Sequence, residues 1–239
     1  MPSSAVFMSS EDNELLILAV RDFARGELLE ADRRWDVDES SMAELLPQIA
    51  QMGLLKVMIP ELQDGMGCDC KTYSTLLHEV AYASPSMAVT LSVHTMVAST
   101  VSKMAEEPLR STWLRQFGEA DHLCAFAISE ADAGSDPSSI RTRAVKAPGG
   151  FRVSGEKMWI SNGMSARWFL TLVRLDDGTP DGALCMVMID GQSPGLERTK
   201  IRGKMGIRGS ETAVISLSDV FVPKEHVVGD VGEGGRVSA

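Results

Sequence analysis

Residues 129–136 read SEADAGSD, a run in which three carboxylates, Glu130, Asp132 and Asp136, are separated by small residues. Side chains of this kind suit three different structures. They could form a loop that binds a hard cation through carboxylate oxygens, a cap at the start of a helical turn, or a loop whose backbone N–H groups hold an anionic cofactor. The three interpretations predict different proteins.

The spacing of the run disfavours calcium and leaves the other two interpretations open. Counted from Glu130, an EF-hand pattern places Ser135 where glycine is needed and Arg141 where a bidentate glutamate is needed. Ser135 and Asp136 precede Pro137, which is a good start for one helical turn. Capping leaves Ser129 and Glu130 without a role, and a local cap and a ligand loop explain the run about equally well.

A second run, KMWISNG at 157–163, places a large aromatic side chain and a hydroxyl at the end of a strand-like segment, just before a turn signal. The ring of Trp159 could pack on a planar ligand while the hydroxyl of Ser161 bonds to the edge of that ligand. An ordinary hairpin with a core tryptophan explains the same residues. Taken alone, this run does not decide between a ligand site and a core.

Composition narrows the class of protein. Acidic residues outnumber basic residues by 33 to 23, giving a net charge of −10, so the overall field repels nucleic acid and anionic membrane surfaces. A small anionic ligand needs only a local patch of donors. We find no membrane span and no targeting signal, so we expect a cytoplasmic protein with reduced thiols. No metal site is expected from the cysteines, which are Cys68, Cys70, Cys124 and Cys185.

The first half of the sequence has helical periodicity. Ser9 and Asp12 resemble a capping box ahead of apolar residues that recur every three or four positions. Ser84 and Pro85 predict the start of a long helix that is apolar nearly all round and therefore buried on several sides. Other helices are predicted at 41–52, 71–83 and 108–117.

After Asp121 the apolar period changes to two. The strand-like segments are LCAFAIS, FRVSGEKMWIS, RWFLTLVRL, ALCMVMID and TAVISLSDVFV, and turn signals separate them. Helices precede strands without βαβ alternation, so we predict an α+β fold. It consists of an N-terminal all-helical domain at 1–120 and an antiparallel, barrel- or sandwich-like middle β domain at 121–239.

Three motifs, in order and at matching spacing, resemble the acyl-CoA dehydrogenase family. AISEADAGSD at 127–136 resembles the family's first signature, KMWISNG at 157–163 its second flavin-contacting strand, and KMGIRGS at 204–210 its late middle-domain loop. The resemblance covers nearly the whole chain. It implies that FAD and an acyl thioester bind where the helical domain, the β domain and a C-terminal helical bundle meet.

The resemblance also implies roles for individual residues. Ser129 would bond to the pyrimidine edge of the flavin, Trp159 would pack on its rings and Ser161 would bond near N5. Ser135 would contact both the cofactor and the acyl-CoA substrate. The full set of implied cofactor contacts is Phe126, Ala127, Ile128, Ser129, Ser135, Trp159, Ile160 and Ser161.

The implied reaction is α,β-desaturation of an acyl-CoA or acyl-carrier thioester. A glutamate removes the α proton while the β hydrogen passes as hydride to flavin N5, and an electron-transfer flavoprotein then accepts the electrons. The helix at 85–101 would form one wall of the acyl pocket. His94, within it, is expected to be packed rather than catalytic, because no Ser, Cys or ligand cluster lies nearby in the sequence. A homo- or hetero-oligomer is expected.

Two departures from the family pattern bear on function. Ala131 and Asp132 stand where the family often has Pro-Gly, and the sequence ends at residue 239, ahead of the bundle that carries the family's catalytic glutamate. Glu130 and Asp132 are the nearest acids, but neither is assigned as the base. We therefore expect an acyl-CoA dehydrogenase that is incomplete as this chain. The alternatives are a non-catalytic partner subunit and a flavin-free thioester-binding or interaction module of the same fold.

Overall fold

The computed structural model describes residues 9–40, 42–176 and 182–230, with the helices preceding the sheet as predicted for an α+β fold. The helices are α1 (Ser10–Phe23), α2 (Leu29–Asp38), α3 (Leu46–Gln51), α4 (Cys70–Ala83), α5 (Pro85–Met104) and α6 (Leu109–Gln116). A π-helical turn, Ala24–Leu28, joins α1 to α2. Within the residues described, no helix has the length and apolar character needed to cross a membrane.

Polar caps start two helices where the sequence predicts them. The hydroxyl of Ser9 accepts a hydrogen bond from Asp12 N at 3.1 Å, which confirms the predicted cap of α1. Ser84 caps α5 in the same way through Met87 N at 3.0 Å, just ahead of Pro85. Each bond satisfies a backbone donor that the first helical turn leaves free. α5 is buried on several sides, as its apolar sequence predicts.

The helix predicted at 41–52 is shorter in the structure. α3 begins at Leu46 because Pro47 favours the first turn of a helix, and the residues before it form a separate hydrogen-bonded turn. Gly53, in the left-handed conformation with φ 76°, follows the end of the helix as predicted. Residue 41 lies outside the described residues.

The strands of the described part form one sheet. They are β1 (Cys124–Ala127), β2 (Arg143–Ala147), β3 (Gly150–Ile160), β4 (Trp168–Asp176), β5 (Leu184–Asp190), β6 (Leu196–Lys200), β7 (Ala213–Pro223) and β8 (Val227–Val228). Their order is β6-β7-β3-β2-β4-β5-β8, and β1 also pairs with β4. β1 and β2 run parallel to β4, whereas the other pairs are antiparallel. The sheet is therefore mostly antiparallel.

The alternation pattern predicts β1, β3, β4, β5 and β7 but misses the other strands. β2 and β6 are short, charged side chains interrupt them, and most of their residues are exposed or half-exposed, so neither carries an apolar run. β8 has only two residues. The predicted turn at 176–182 lies mostly outside the described residues, and so does the predicted linker after residue 230.

The helices and the sheet share an apolar core. Val97 and Val101 of α5 and Trp113 of α6 belong to one buried cluster with Leu170 of β4 and Met186 of β5. A second cluster fills the interior of the helical part, and a third lies within the sheet. Since the shared cluster crosses the junction, burial of apolar surface holds the helices against the sheet.

Two buried side chains satisfy the free edge of β1. Cys124 N donates to His94 Nδ1 at 3.2 Å, and Cys124 O accepts from Asn162 Nδ2 at 2.9 Å. Asn162 Nδ2 also donates to Thr90 O at 3.1 Å, so this one amide joins β1 to α5. His94 is fully buried, as expected of a packed residue.

His94 makes the stability of the fold depend on pH. Burial lowers the pKa of His94 from 6.5 to about 4, because the charged imidazolium would lose its hydration. As the pH falls below 6.5, the unfolded chain binds a proton that the folded chain does not. The contribution to stability is complete above that pH and is lost as the pH approaches 4.

We expect the free energy of unfolding to fall by roughly 3 kcal/mol on account of His94 between these two pH values, since one pKa unit corresponds to about 1.4 kcal/mol. Urea denaturation at closely spaced pH values measures this slope. His94→Asn is the control, because asparagine does not titrate and keeps an acceptor for Cys124 N. An equal slope in both proteins would show that His94 is not responsible.

Candidate functional site

The two motif segments meet at the ends of β1 and β3. Met158 N donates to Ser129 O at 2.8 Å, and Lys157 Nζ donates to Ile128 O at 3.0 Å. Lys157 and Ile128 are 29 residues apart in the chain. The sequence places both segments at strand ends, and the structure adds that the two ends are in direct contact.

Trp159 points away from the core at this junction. It is 61% exposed, and its φ of 63° is a left-handed conformation that a bulky residue rarely adopts. The pairing of β3 with β7 shifts register between Lys157 and Ile160, so a bulge turns Trp159 outward. The interpretation of Trp159 as the core residue of an ordinary hairpin is therefore wrong. The ring is available to pack on a planar ligand.

Three hydroxyl groups in these segments are free to bind a ligand. Ser129 and Ser161 are half-buried, and Ser135 is exposed. In the part of the chain that the structure describes, none of these three hydroxyls has a hydrogen-bond partner. Each can therefore donate to or accept from a bound molecule without breaking an existing bond.

The other residues assigned to the cofactor differ in what they can offer. Phe126 and Ile128 are half-buried and pack against the shared core. The side chains of Ala127 and Ile160 are buried, so only their backbone groups could reach a ligand at the surface. The assignment of all these residues to a flavin site stays a prediction.

Glu130 lies beneath the strand ends, with 9% of its side chain exposed. One carboxylate oxygen, Oε1, accepts from Lys157 Nζ at 2.8 Å, from Thr142 N at 3.0 Å and from Thr142 Oγ1 at 2.6 Å. The other, Oε2, accepts from Arg141 N at 2.6 Å. Glu130 therefore connects the end of β1 to β3 and to the residues that lead into β2.

These contacts decide the protonation of the pair. Burial tends to raise the pKa of Glu130, but the hydrogen bonds from Lys157, Thr142 and Arg141 outweigh it, so the pKa of Glu130 is lowered. Burial lowers the pKa of Lys157, against the opposing effect of its contact with Glu130. A carboxylate that accepts four hydrogen bonds is a poor proton acceptor, so Glu130 is not suited to act as a general base.

The other two carboxylates of the run have separate partners. Asp136 caps the short 3₁₀ turn Pro137–Ser139 through a bond from Ser138 N at 3.0 Å, which confirms the capping interpretation for this residue. Asp132 pairs with Arg141 at 3.3 Å on the surface. The three acids do not converge on one point, which contradicts a cation loop. The run thus combines a cap, a buried ion pair and an exposed loop.

The third motif forms a loop that docks on α2. Arg208 N donates to Asp36 Oδ1 at 2.9 Å, and the Arg208 guanidinium pairs with Glu39 at 3.0 Å. Glu39 also accepts from Gly203 N at 2.9 Å, and this bond is the main reason that the pKa of Glu39 is lowered. Met205, in the same loop, is fully exposed. Sequence reasoning misses Glu39, because Gly203 is 164 residues away in the chain.

One surface group within the described ranges could hold a metal ion. Ligand atoms of Glu119, Asp121 and His122 lie within 4.8 Å of one another between α6 and β1. His122 Nδ1 already lies 3.1 Å from Glu119 and 2.9 Å from Asp121. The direct contacts between these side chains account for their proximity without a metal.

Helices followed by a mostly antiparallel sheet, with two adjoining strand ends that expose a tryptophan, define an α+β protein with a surface suited to a planar ligand. The family models for the acyl-CoA dehydrogenase N-terminal domain and middle domain match residues 10–121 and 125–220. The chain therefore belongs to the acyl-CoA dehydrogenase family, as its motifs predict.

Individual proteins agree with this assignment. An acyl-CoA dehydrogenase of Bacillus subtilis is 28% identical to this chain over 96% of this chain and 61% of its own length. A glutaryl-coenzyme A dehydrogenase, solved as its glutaryl-CoA complex, matches with a TM-score of 0.89 and 26% identity over 98% of this chain and 60% of that chain. An acyl-CoA dehydrogenase from Bacillus anthracis complexed with FAD matches with a TM-score of 0.84 and 25% identity, covering 96% of this chain and 40% of that chain. The chain spans less than two thirds of each of these proteins.

The left-handed backbone of Trp159 predicts an unusual order of stability. We expect Trp159→Gly to be more stable than Trp159→Ala by about 1 kcal/mol, because alanine in this conformation costs roughly 1–2 kcal/mol whereas glycine adopts it freely. Urea denaturation of the two variants measures the difference.

Val145, an exposed residue of β2 with ordinary strand conformation, is the matched control. There the order should reverse, since glycine within a strand is less stable than alanine by about 0.5–1 kcal/mol. If alanine is the more stable replacement at both positions, the backbone of Trp159 is not strained.

Proposed function

We propose that this chain supplies the FAD- and thioester-facing part of an acyl-CoA dehydrogenase that desaturates the α,β bond of an acyl thioester. One observation carries the proposal. Trp159, exposed and held in a left-handed conformation, lies beside Ser129 at two strand ends that hydrogen bond to each other. A surface with a free aromatic ring and free hydroxyls fits a planar cofactor with polar edges.

The residues present fit FAD. Trp159 would hold the ring system by stacking, and the hydroxyls of Ser129 and Ser161 would hydrogen bond to polar atoms at its edges. Ser135, exposed in the loop after β1, would reach both the cofactor and the substrate. Backbone and apolar contacts from Phe126, Ala127, Ile128 and Ile160 would complete the cofactor surface.

When bound, FAD supplies a hydride acceptor for the β carbon of the thioester, with an electron-transfer flavoprotein as the onward electron acceptor. The hydroxyls act by orientation and polarity. Fixed donors near a position where negative charge develops stabilise that charge without having to reorganise. Because Met158 N fixes Ser129 O at 2.8 Å, the backbone that carries the Ser129 hydroxyl is already in place.

The acid that accepts the α proton is not among the three carboxylates of the 129–136 run. Glu130 is held by Lys157, and Asp132 and Asp136 have partners of their own. We therefore assign no base within this run. The exposed face of α5, which includes Met96, would form one wall of the acyl pocket.

The first alternative is a non-catalytic partner subunit that binds FAD while another chain supplies the base. Either way the substrate would be an acyl-CoA or acyl-carrier thioester, the assembly a homo- or hetero-oligomer, and the compartment the cytoplasm. A flavin-free thioester-binding or interaction module is the remaining alternative.

We expect the purified chain to bind FAD and Trp159→Leu to bind it about tenfold more weakly, since an aromatic contact contributes about 0.5–1.5 kcal/mol beyond its buried area. Titration of the flavin absorbance measures the dissociation constants. Phe221→Leu is the control, because Phe221 is also an exposed aromatic residue but lies on β7, away from the motif strand ends. Equal losses in both variants would count against a stacking role for Trp159.

Anaerobic addition of acyl-CoA then distinguishes the candidates. A bound flavin that loses its absorbance shows that this chain supplies a base, whereas one that keeps it favours the partner subunit. Failure of the chain to bind FAD would contradict the proposal and favour the flavin-free module.

A further inference from the structure

Lys157 has an unusual position for a lysine. Its side chain is fully buried, although it lies on β3 only two residues before the exposed Trp159. Its ammonium donates to Ile128 O at 3.0 Å and to Glu130 Oε1 at 2.8 Å. Residues on either side of Ser129 are therefore bound by the same ammonium group.

The bonds around the ammonium fix both strand ends. Immediately after β1, the carbonyls of Ile128 and Ser129 are both occupied, the first by Lys157 Nζ and the second by Met158 N. On β3, Lys157 and Met158 are thereby fixed immediately before Trp159. Successive backbone groups that are each bound leave little freedom for the Ser129 hydroxyl or for the peptide that carries the tryptophan.

Glu130 extends this arrangement to a third segment. Besides Lys157, it binds the backbone of Arg141 and both the backbone and the hydroxyl of Thr142. Thr142 packs closely on β3, because a Cβ atom added at Gly155 would lie 2.6 Å from Thr142 Oγ1. The threonine that binds the carboxylate is therefore packed directly against the backbone of β3.

Stability alone does not account for this pair. Two buried charges lose their hydration, and well-packed apolar residues of similar volume are commonly as stable or more stable. Hydrogen bonds to charged groups are directional, however, and they fix the geometry of their partners more closely than apolar contacts do. A fixed geometry matters most where a ligand must meet several groups at once.

We propose that Lys157 and Glu130 are positioning residues, which act together beneath the strand ends to hold Ser129 and Trp159 in the arrangement that binds the cofactor. This inference rests on the proposed function. Lys157 is fully buried, and both carboxylate oxygens of the largely buried Glu130 already accept hydrogen bonds, so both residues act through the backbone of the residues beside them.

The test uses the whole chain with Lys157→Met, which keeps most of the side-chain volume and removes the ammonium. We expect FAD to bind on the order of 10- to 100-fold more weakly, the size of effect that a displacement of about 1 Å can produce. A second readout needs no cofactor. Trp35, Trp113 and Trp168 are buried, so acrylamide quenching in the FAD-free protein reports mainly on Trp159 and should change.

The double variant Lys157→Met/Glu130→Gln separates positioning from general stability. It removes both charges and leaves glutamine as an acceptor for Thr142, so the urea midpoint should return toward that of the wild type. We expect FAD binding and Trp159 quenching to remain altered. If Lys157→Met does not fold, Glu130→Gln alone provides the same two readouts. Lys56→Met is the matched control, because it breaks a lysine–carboxylate pair with Asp64 in the helical part.

The outcomes are distinct. In the double variant, FAD affinity and Trp159 quenching could return to wild-type values together with the urea midpoint. That result would show that the pair has only a structural role, and it would overturn the inference. Unchanged FAD affinity and quenching in Lys157→Met would do the same. If the wild type itself binds no FAD, the proposed function fails, and the quenching of Trp159 in the FAD-free proteins still decides whether the pair positions the tryptophan.

Discussion

The arrangement of the whole chain depends on how the free edge of β1 is satisfied. β1 pairs with β4 on one side, and on the other side the N–H and C=O of Cys124 would be buried without partners. His94 accepts from that N–H, and Asn162 donates to that C=O. Unpaired backbone groups in a core cost as much as a lost hydrogen bond, so these two side chains make it possible for a sheet edge to pack against a helix. The shared apolar core forms around that contact.

The surface that we propose for ligand binding follows from this edge. Because β1 is fixed against α5, the residues that follow it, Ile128 and Ser129, lie beside β3. β3 also pairs with β2 on one side and with β7 on the other. It does so with a bulge that turns Trp159 out of the sheet. A tryptophan with a left-handed backbone is unfavourable by itself, and it persists because the surrounding hydrogen bonds determine the strand on both sides of it. Strain held in place by a rigid frame is typical of functional sites.

Periodicity predicts most of the fold, and it fails where the structure departs from a regular period. Along β3, Val153 and Lys157 are buried and lie in the same period-two phase, and that phase would also bury Trp159. Lys157 points inward as this phase predicts, whereas the bulge after it turns the side chain of Trp159 outward. A lysine in the buried phase of a strand is a signal that sequence reasoning could have used to look for a buried acid. The identity of that acid could not have been read, because Glu130 is 27 residues away and no local spacing connects the two.

The same residues show why the 129–136 run fits more than one interpretation. Its three acids have different partners. Asp136 caps a turn, Asp132 pairs with an arginine at the surface, and Glu130 pairs with a buried lysine. Of the three acids, only Glu130 is bonded to the lysine beneath the proposed ligand surface. A motif of alternating charges can therefore serve a cofactor site through its small and hydroxylated residues, which leave room and free donors, while its charges hold the loop in shape. This division explains why, among the residues that the structure describes, the hydroxyls of the serines rather than the acids are without partners where the proposed ligand would lie.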